Sequence, residues 1–295
     1  MTTPNPPAAS PVAGPRAAAA APLPFDAVAV LRHALLMLLA LLCLAPIVVL
    51  AFTAFKTETQ IFDTRWSWFF APTMANFEAV VGEGNIQRNL YNSLVVSLVS
   101  SAVTLLFGTM AAYGLARFEF RGRGAFGYST LLLRTIPPAV LAVPVFTIWL
   151  GWQINDTLSG VILVYVALNL PFTIWLLYGF VEQLPEELEE AAAIDGCGPF
   201  AVFWRVVLPL VSPGLAAAAI FTFRLAWNEF ILSFILTNRH TRTLPASISN
   251  YITDTGVEWG KITAAGLLIA LPPLVFTFVA AKRIIAGLTA GAVKG

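Results

Sequence analysis

The chain has 295 residues, of which 58% are hydrophobic and 11% charged, and its formal net charge is +1. Soluble domains carry about 25% charged residues, so this balance excludes a disordered chain and argues against a water-soluble enzyme. The near-zero charge lacks the basic field of a nucleic-acid binder, and two cysteines, Cys43 and Cys197, give neither a disulfide framework nor a zinc pattern.

Residues 1–24 hold seven prolines and an alanine run. They lack the basic start, apolar centre and cleavage site of a signal peptide, so they read as a disordered cytosolic tail. Residues 25–295 read as one all-α membrane domain with six transmembrane helices. A membrane helix needs about 20 apolar residues. Runs of that kind place the spans near 32–55, 90–116, 126–151, 158–181, 208–236 and 263–284. Their continuous apolar character excludes a membrane β-barrel, whose strands alternate. Pro46, Pro137, Pro138, Pro144, Pro171, Pro272 and Pro273 fall inside spans and predict kinks. With the N-terminus inside, the inner segments carry nine Lys and Arg and the outer segments six. This bias puts both termini in the cytosol. Arg117, Arg121 and Arg123, between spans two and three, are its sharpest element.

The acids are unevenly spread. Six of the 16, Glu182, Glu186, Glu187, Glu189, Glu190 and Asp195, fall in the loop 182–207 between spans four and five. Pro185 suits a first helical position, and the glutamates after it favour the positive end of that helix. Ala191, Ala192 and Ala193 favour a helix with little side-chain bulk. Gly196 is a natural stop, and Pro199 restarts a second short helix over 199–207. The loop therefore reads as a helix-turn-helix built to be gripped, the bland alternative being a solvated acidic face.

This loop resembles the EAA loop of ATP-binding-cassette importer permeases. Glu190-Ala191-Ala192, three residues, Gly196, nine residues, Val206, one residue and Leu208-Pro209 follow that pattern, with Val206 for the usual isoleucine. Trp227-Asn228-Glu229-Phe230, Asn92-Ser93 and the C-terminal Gly287–Gly295 stretch are similar to the carbohydrate-uptake branch, of the maltose, trehalose and glycerol-phosphate type. The resemblance covers the chain from about Phe25 onward. It implies a type I importer transmembrane domain whose loop docks on a separate ATPase. Glu190, Ala191, Ala192, Asp195, Gly196, Leu208 and Pro209 would form the coupling loop. The implied partners are a second permease subunit, giving a heterodimer, two ATP-binding subunits and an extracytoplasmic solute-binding protein. ATP and magnesium would be bound by the partner ATPase, and no cofactor by this chain. The implied location is a bacterial or archaeal cell membrane.

The nearest match to a phosphate loop has Thr255 for the first glycine and Ile262 for the final Ser or Thr, so the chain is expected to have no ATPase site of its own. His33 and His240 are too far apart to suggest a metal site, and no catalytic triad can be built around them. Charges within spans are costly in lipid and usually face a bundle interior or wet cavity. Arg224, Trp227, Asn228 and Glu229 are therefore candidates for the pathway wall, the alternative being helix–helix hydrogen bonds or a subunit contact. Arg134 is expected to snorkel to the interface. The outer loops are 56–89, where Trp66, Trp68, Phe69 and Phe70 read as interfacial anchors, and 238–261, where Arg239, His240, Arg242 and Tyr251 would face the binding protein. Rival readings are a permease for a non-sugar solute, a secondary transporter with buried acid–base pairs, and a membrane enzyme or scaffold.

Overall fold

The computed structural model describes residues 27–65, 68–83 and 85–292, with side chains described up to Val279. The expected tail at 1–24, Trp66 and the last three residues lie outside the described residues. The described residues fall into two compact units, 27–48 and those from Val49 on. The first holds the larger part of helix α1 (Ala27–Ala54), whose leucines are exposed along its length, Leu31 and Leu41 among them.

In the second unit a one-turn α2 (Glu58–Ile61) and α3 (Ala75–Glu83) lead to α4 (Ile86–Arg117). Helices α5 (Arg123–Arg134) and α6 (Pro138–Trp152) follow, then α7 (Leu158–Glu182). Short α8 (Glu187–Ile194), α9 (Pro199–Val202) and α10 (Leu208–Leu210) form the loop region. Helices α11 (Ser212–Asn228), α12 (Ile231–Leu236) and α13 (Trp259–Ala292) complete the bundle. A two-stranded antiparallel hairpin, β1 (Ile252–Thr253) with β2 (Gly256–Val257), interrupts the otherwise helical fold.

Helices α4 and α7 run side by side at the centre, and α11 packs on both. The sequence of α4 explains this. Ser93, Ser97, Ser100, Thr104, Gly108 and Ala112 recur at helical spacing and are all buried. Small residues let backbones approach closely where lipid supplies no drive for association. At Gly108 an added Cβ would lie 2.7 Å from Thr173 Cγ2. Some buried hydroxyls are satisfied within their own helices, as in Thr109 to the Leu105 carbonyl at 2.5 Å and Thr222 to the Ala218 carbonyl at 2.7 Å, whereas the Ser101 and Thr104 hydroxyls are buried without a partner among the described residues.

Among the described residues, four helices, Ala29–Ala54, Ile86–Arg117, Leu158–Glu182 and Trp259–Val279, are long and apolar enough to cross a membrane. The sequence stretches at 126–151 and 208–236 do not form single rods. The first breaks by 98° between Arg134 and Pro138, and the second by 76° between Leu210 and Ser212. Pro137 and Pro138 explain the first break. Each lacks an N–H, and each disfavours the α conformation in the residue before it. Pro137 sits at φ −65° and ψ 135°, an extended residue that caps α6. Near the second break, Pro209 leaves the Arg205 carbonyl without its i+4 donor. The chain widens to a π turn over Phe203–Val207, and the Leu208 N–H reaches back five residues to the Phe203 carbonyl. Helix α11 ends at Asn228, because Glu229 is extended at ψ 123°.

Candidate coupling and pathway sites

The acidic loop is built from local signals. Helix α8 carries Glu187, Glu189 and Glu190 in its first turn, where the helix dipole favours them. Its end is a Schellman turn. The Gly196 N–H donates to the Ala193 carbonyl at 3.0 Å and the Cys197 N–H to the Ala192 carbonyl at 3.0 Å. Gly196 has φ +87°, a left-handed conformation that glycine adopts without steric cost. Ala192 is buried, whereas Glu190, Ala191, Asp195, Gly196 and Pro209 are exposed and Leu208 is half-buried. The turn presents Ile194, 86% exposed, and Phe200, 71% exposed. These two apolar side chains went unremarked in the sequence, where only the acids and the glycine stood out.

A second feature of the loop was also invisible there. Arg117, the last residue of α4, reaches into it. Its Nε donates to Glu189 Oε1 at 2.6 Å, and its Nη2 donates to the Val181 and Leu184 carbonyls at 3.1 and 2.8 Å. The Tyr113 hydroxyl donates to the other Glu189 oxygen at 2.7 Å. The side chains of Arg117 and Glu189 are only 9% and 13% exposed.

The in-span candidates separate. Arg224 and Asn228 are exposed and, with Glu229, line a cavity of about 210 Å³. A second cavity of about 190 Å³ shares Leu225 and Glu229 with it. This one is also lined by Arg134, Tyr165, Asn169 and Phe172. At 1.5 Å per residue, Asn169 lies about 17 Å from one end of α7 and about 20 Å from the other, halfway along the span. The exposed Arg134 lays its guanidinium over the Phe172 ring at 4.2 Å. The Glu229 carboxylate accepts from the Tyr165 hydroxyl at 2.9 Å and from the Leu232 and Ser233 N–H groups at 3.0 and 3.1 Å. It thus caps α12 while facing the cavities. Trp227 lines neither cavity. It is buried against Phe223 and Leu244, and its Nε1 donates to the Ile269 carbonyl at 3.1 Å. The indole serves the packing of α11 on α13.

At the far end of the bundle from α8, Asp156 has φ +56° and ties the α6–α7 turn to the loop after α12. Its carboxylate accepts from the Asn238 N–H at 2.9 Å, from Asn238 Nδ2 at 3.1 Å and from the Thr241 hydroxyl. Burial acts to raise this carboxyl, but the three hydrogen bonds together with nearby His240 hold it below the ordinary aspartate range. Asn92 donates to the His240 and Arg242 carbonyls, both at 3.0 Å, and Ser93 accepts from the Leu244 N–H at 2.6 Å. The Asn92-Ser93 pair therefore anchors this loop. Beside it lies a polar cavity of about 520 Å³ lined by Asn85, Asn89, Arg239, Arg242, Asn250, Tyr251 and Glu258.

Residues 104–288, which include the Arg117–Glu189 pair, the Schellman turn and the paired cavities, match the family of binding-protein-dependent transport system inner membrane components. The chain belongs to this family. It is a permease subunit of an ABC importer. It is 39% identical over 225 residues to a putative ABC transporter permease of Streptomyces antibioticus, covering 76% of this chain and 98% of that one. A sulfoquinovosyl glycerol transport system permease of Agrobacterium fabrum is 35% identical, over 85% and 89% of the two chains. A trehalose transport system permease of Mycobacterium tuberculosis is 36% identical, over 76% and 82%. Among solved structures, a bacterial importer of the acidic polysaccharide alginate superposes with a TM-score of 0.73 at 18% identity, over 89% of this permease and 99% of that chain. The methionine transporter in its inward-facing form gives 0.56 at 19% identity, over 68% and 95%. These two likenesses establish the type I importer permease fold.

Proposed function

We propose that this permease forms half of the translocation pathway of an ATP-driven, binding-protein-dependent importer for a sugar or oligosaccharide. On this reading the chain crosses the membrane six times, each bent pair counted as one span, with both termini in the cytosol. A second permease subunit supplies the other half of the pathway, and two ATP-binding subunits supply ATP and magnesium. The 182–209 loop docks on one of them through Glu190, Ala191, Ala192, Asp195, Gly196, Leu208 and Pro209. The 238–261 loop faces the solute-binding protein.

The observation that carries this reading is the loop geometry. A left-handed Gly196 turn holds α8 beside α9 and presents Ile194 and Phe200 to a partner. Exposed apolar side chains beside an acidic face support reading the loop as a protein–protein contact over a solvated loop. The carbohydrate assignment draws on the relatives' substrates and on the mid-span cavities. There Arg224, Asn228, Glu229 and Asn169 offer hydrogen bonds, and Phe172 offers an aromatic wall.

The test is co-purification with an ATP-binding subunit, followed by ATPase assays with the binding protein and a panel of sugars, amino acids and phosphate. Stimulation by sugars is expected. Stimulation by amino acids alone would overturn the solute class. Glu190→Lys is expected to abolish capture of the ATPase with membrane insertion intact. Asn228→Leu is expected to reduce uptake, and unchanged uptake would remove Asn228 from the pathway.

A further inference from the structure

Two adjacent carboxylates of the docking loop have opposite environments. Glu190 is exposed, and among the described residues its side chain has no partner. Glu189 is held inside the chain by Arg117 and Tyr113. Those two residues are four apart on α4 and so share one face of it. They bind both oxygens of one carboxylate, which fixes the position and rotation of α8 against α4.

Arg117 does more than pair with Glu189. The last carbonyls of a helix have no partner within it. Arg117 Nη2 adds a donor to the Val181 carbonyl in the last turn of α7, which the Leu184 N–H also reaches at 3.1 Å, and donates to the Leu184 carbonyl just beyond it. One guanidinium therefore joins three elements: the end of α4, the end of α7 and the first turn of α8. Its planar fork of five donors suits this task, and a lysine ammonium cannot reproduce it. Tyr113 adds an aromatic contact to Phe203 in the second half of the loop, with ring centroids 5.2 Å apart. Fixing α8 in this way restricts it to the motions of α4 and α7.

We infer that Arg117 is a positioning residue that makes α8, α4 and α7 one rigid body, with Glu189 turned inward as its ligand and Glu190 turned outward to the ATPase. This rests on the reading of α8 as the docking element. The consequence is mechanical. A displacement applied at the loop moves two central helices of the bundle together, whereas an unpinned α8 would move alone.

The experiment measures a distance within the assembled transporter. Cysteines replace Leu188 on α8 and Leu98 on α4, both partly exposed, in a Cys43→Ser, Cys197→Ser background. Spin labels on these sites are read in the complex with its ATP-binding subunits, without nucleotide and with ATP trapped by vanadate. The chain with Arg117 and Glu189 intact is expected to show one narrow distance distribution, unshifted by nucleotide. Arg117→Gln, Arg117→Lys and Glu189→Gln are expected to keep capture of the ATP-binding subunit and basal ATPase activity. Their distribution is expected to shift or split when ATP binds. Tyr113→Phe deletes one hydroxyl without stranding a charge, so it tests the same direction in a milder background.

A narrow, nucleotide-insensitive distribution in all four variants would overturn the inference. So would a nucleotide-dependent shift in the intact pair. Loss of ATPase capture in Glu189→Gln, as expected for Glu190→Lys, would place Glu189 on the partner surface and overturn it as well. Failure of the unaltered chain to capture any ATP-binding subunit would overturn the docking reading itself, and the inference with it.

Discussion

Gly196 offers the most direct test of the docking loop, because steric and conformational costs separate there. Its φ is +87°, and nothing lies within 4 Å of where a Cβ would be. A substitution is therefore resisted by backbone conformation alone. Left-handed geometry costs an ordinary L-residue about 1–2 kcal/mol, while asparagine tolerates it better. If the loop escapes this strain by unwinding the turn, one or two kcal/mol changes its population by a factor of roughly 5–30. Apparent affinity for a partner scales with the competent fraction. Gly196→Ala is then expected to weaken capture of the ATP-binding subunit by up to that factor, and Gly196→Asn by less. Proline is worse, because it locks φ near −65° and removes the N–H that reaches the Ala193 carbonyl. Gly196→Pro is expected to abolish capture. The assay is titration of the purified permease complex with ATP-binding subunit, with membrane insertion checked by protease accessibility. Equal affinity for Gly, Asn and Ala, or full capture by the proline variant, would refute the argument that this turn organises the docking surface.

At the centre of the bundle, Gly108→Ala drives a Cβ to 2.7 Å from Thr173 Cγ2. Overpacking of this kind costs about 1–3 kcal/mol. Adding Thr173→Ser, which removes the clashing methyl, is expected to restore most of the thermal stability in a double-mutant comparison. Trp227→Phe removes the hydrogen bond to the Ile269 carbonyl. It is expected to lower stability by about 1 kcal/mol without changing solute selectivity, and an altered selectivity would return Trp227 to the pathway. Asp156 predicts acid sensitivity of the loop after α12. Its carboxyl is held below the ordinary range, so its contribution is complete above that range and is lost as pH falls through the depressed value. Protection of the Asn238 amide against hydrogen exchange, taken relative to its intrinsic rate at each pH, should therefore stay high at neutral pH and fall only below the ordinary aspartate range. Asp156→Asn should lower that protection at neutral pH and make it independent of pH, and an unchanged profile would refute the assignment.

What could be read in advance was local chemistry. Pro185, the glutamates after it, Gly196 and Pro199 signal a start, a stop and a restart within fifteen residues of one another. No distant partner is needed to form the Schellman turn they specify. The double proline at 137–138 likewise marks where a helix must lose hydrogen bonds. It does not say that the break reaches 98°, because that angle depends on how α5 seats against α7. The residues left open by the sequence are those whose direction is decided by elements far away along the chain. Trp227 reads as either a pathway wall or a helix–helix hydrogen bond, and its indole donates to the Ile269 carbonyl, 42 residues on. Arg134 reads as a snorkelling charge, and nothing in the sequence marks the Phe172 face on α7 that its guanidinium covers.

The same logic explains why Arg117 was legible only as a unit of positive charge. Its count on one side of the membrane is a property of composition, whereas its role depends on acceptors 64, 67 and 72 residues away. Those acceptors meet only because α4 and α7 run together through the bundle. The small, hydroxyl-bearing stripe from Ser93 to Ala112 makes that close approach possible. The stripe and the ion pair are thus successive steps of one arrangement. Close packing through the membrane brings two helix ends together, and a guanidinium at the end of α4 reaches two carbonyls at the end of α7. The residue that satisfies those carbonyls also holds the first turn of the docking helix. Any substitution that spreads α4 from α7, even one as remote as Gly108, should therefore loosen α8 as well. Label distances between Leu188→Cys and Leu98→Cys in the Gly108→Ala chain would show whether that loosening reaches the loop, and an unchanged distribution would confine the clamp to its own neighbourhood.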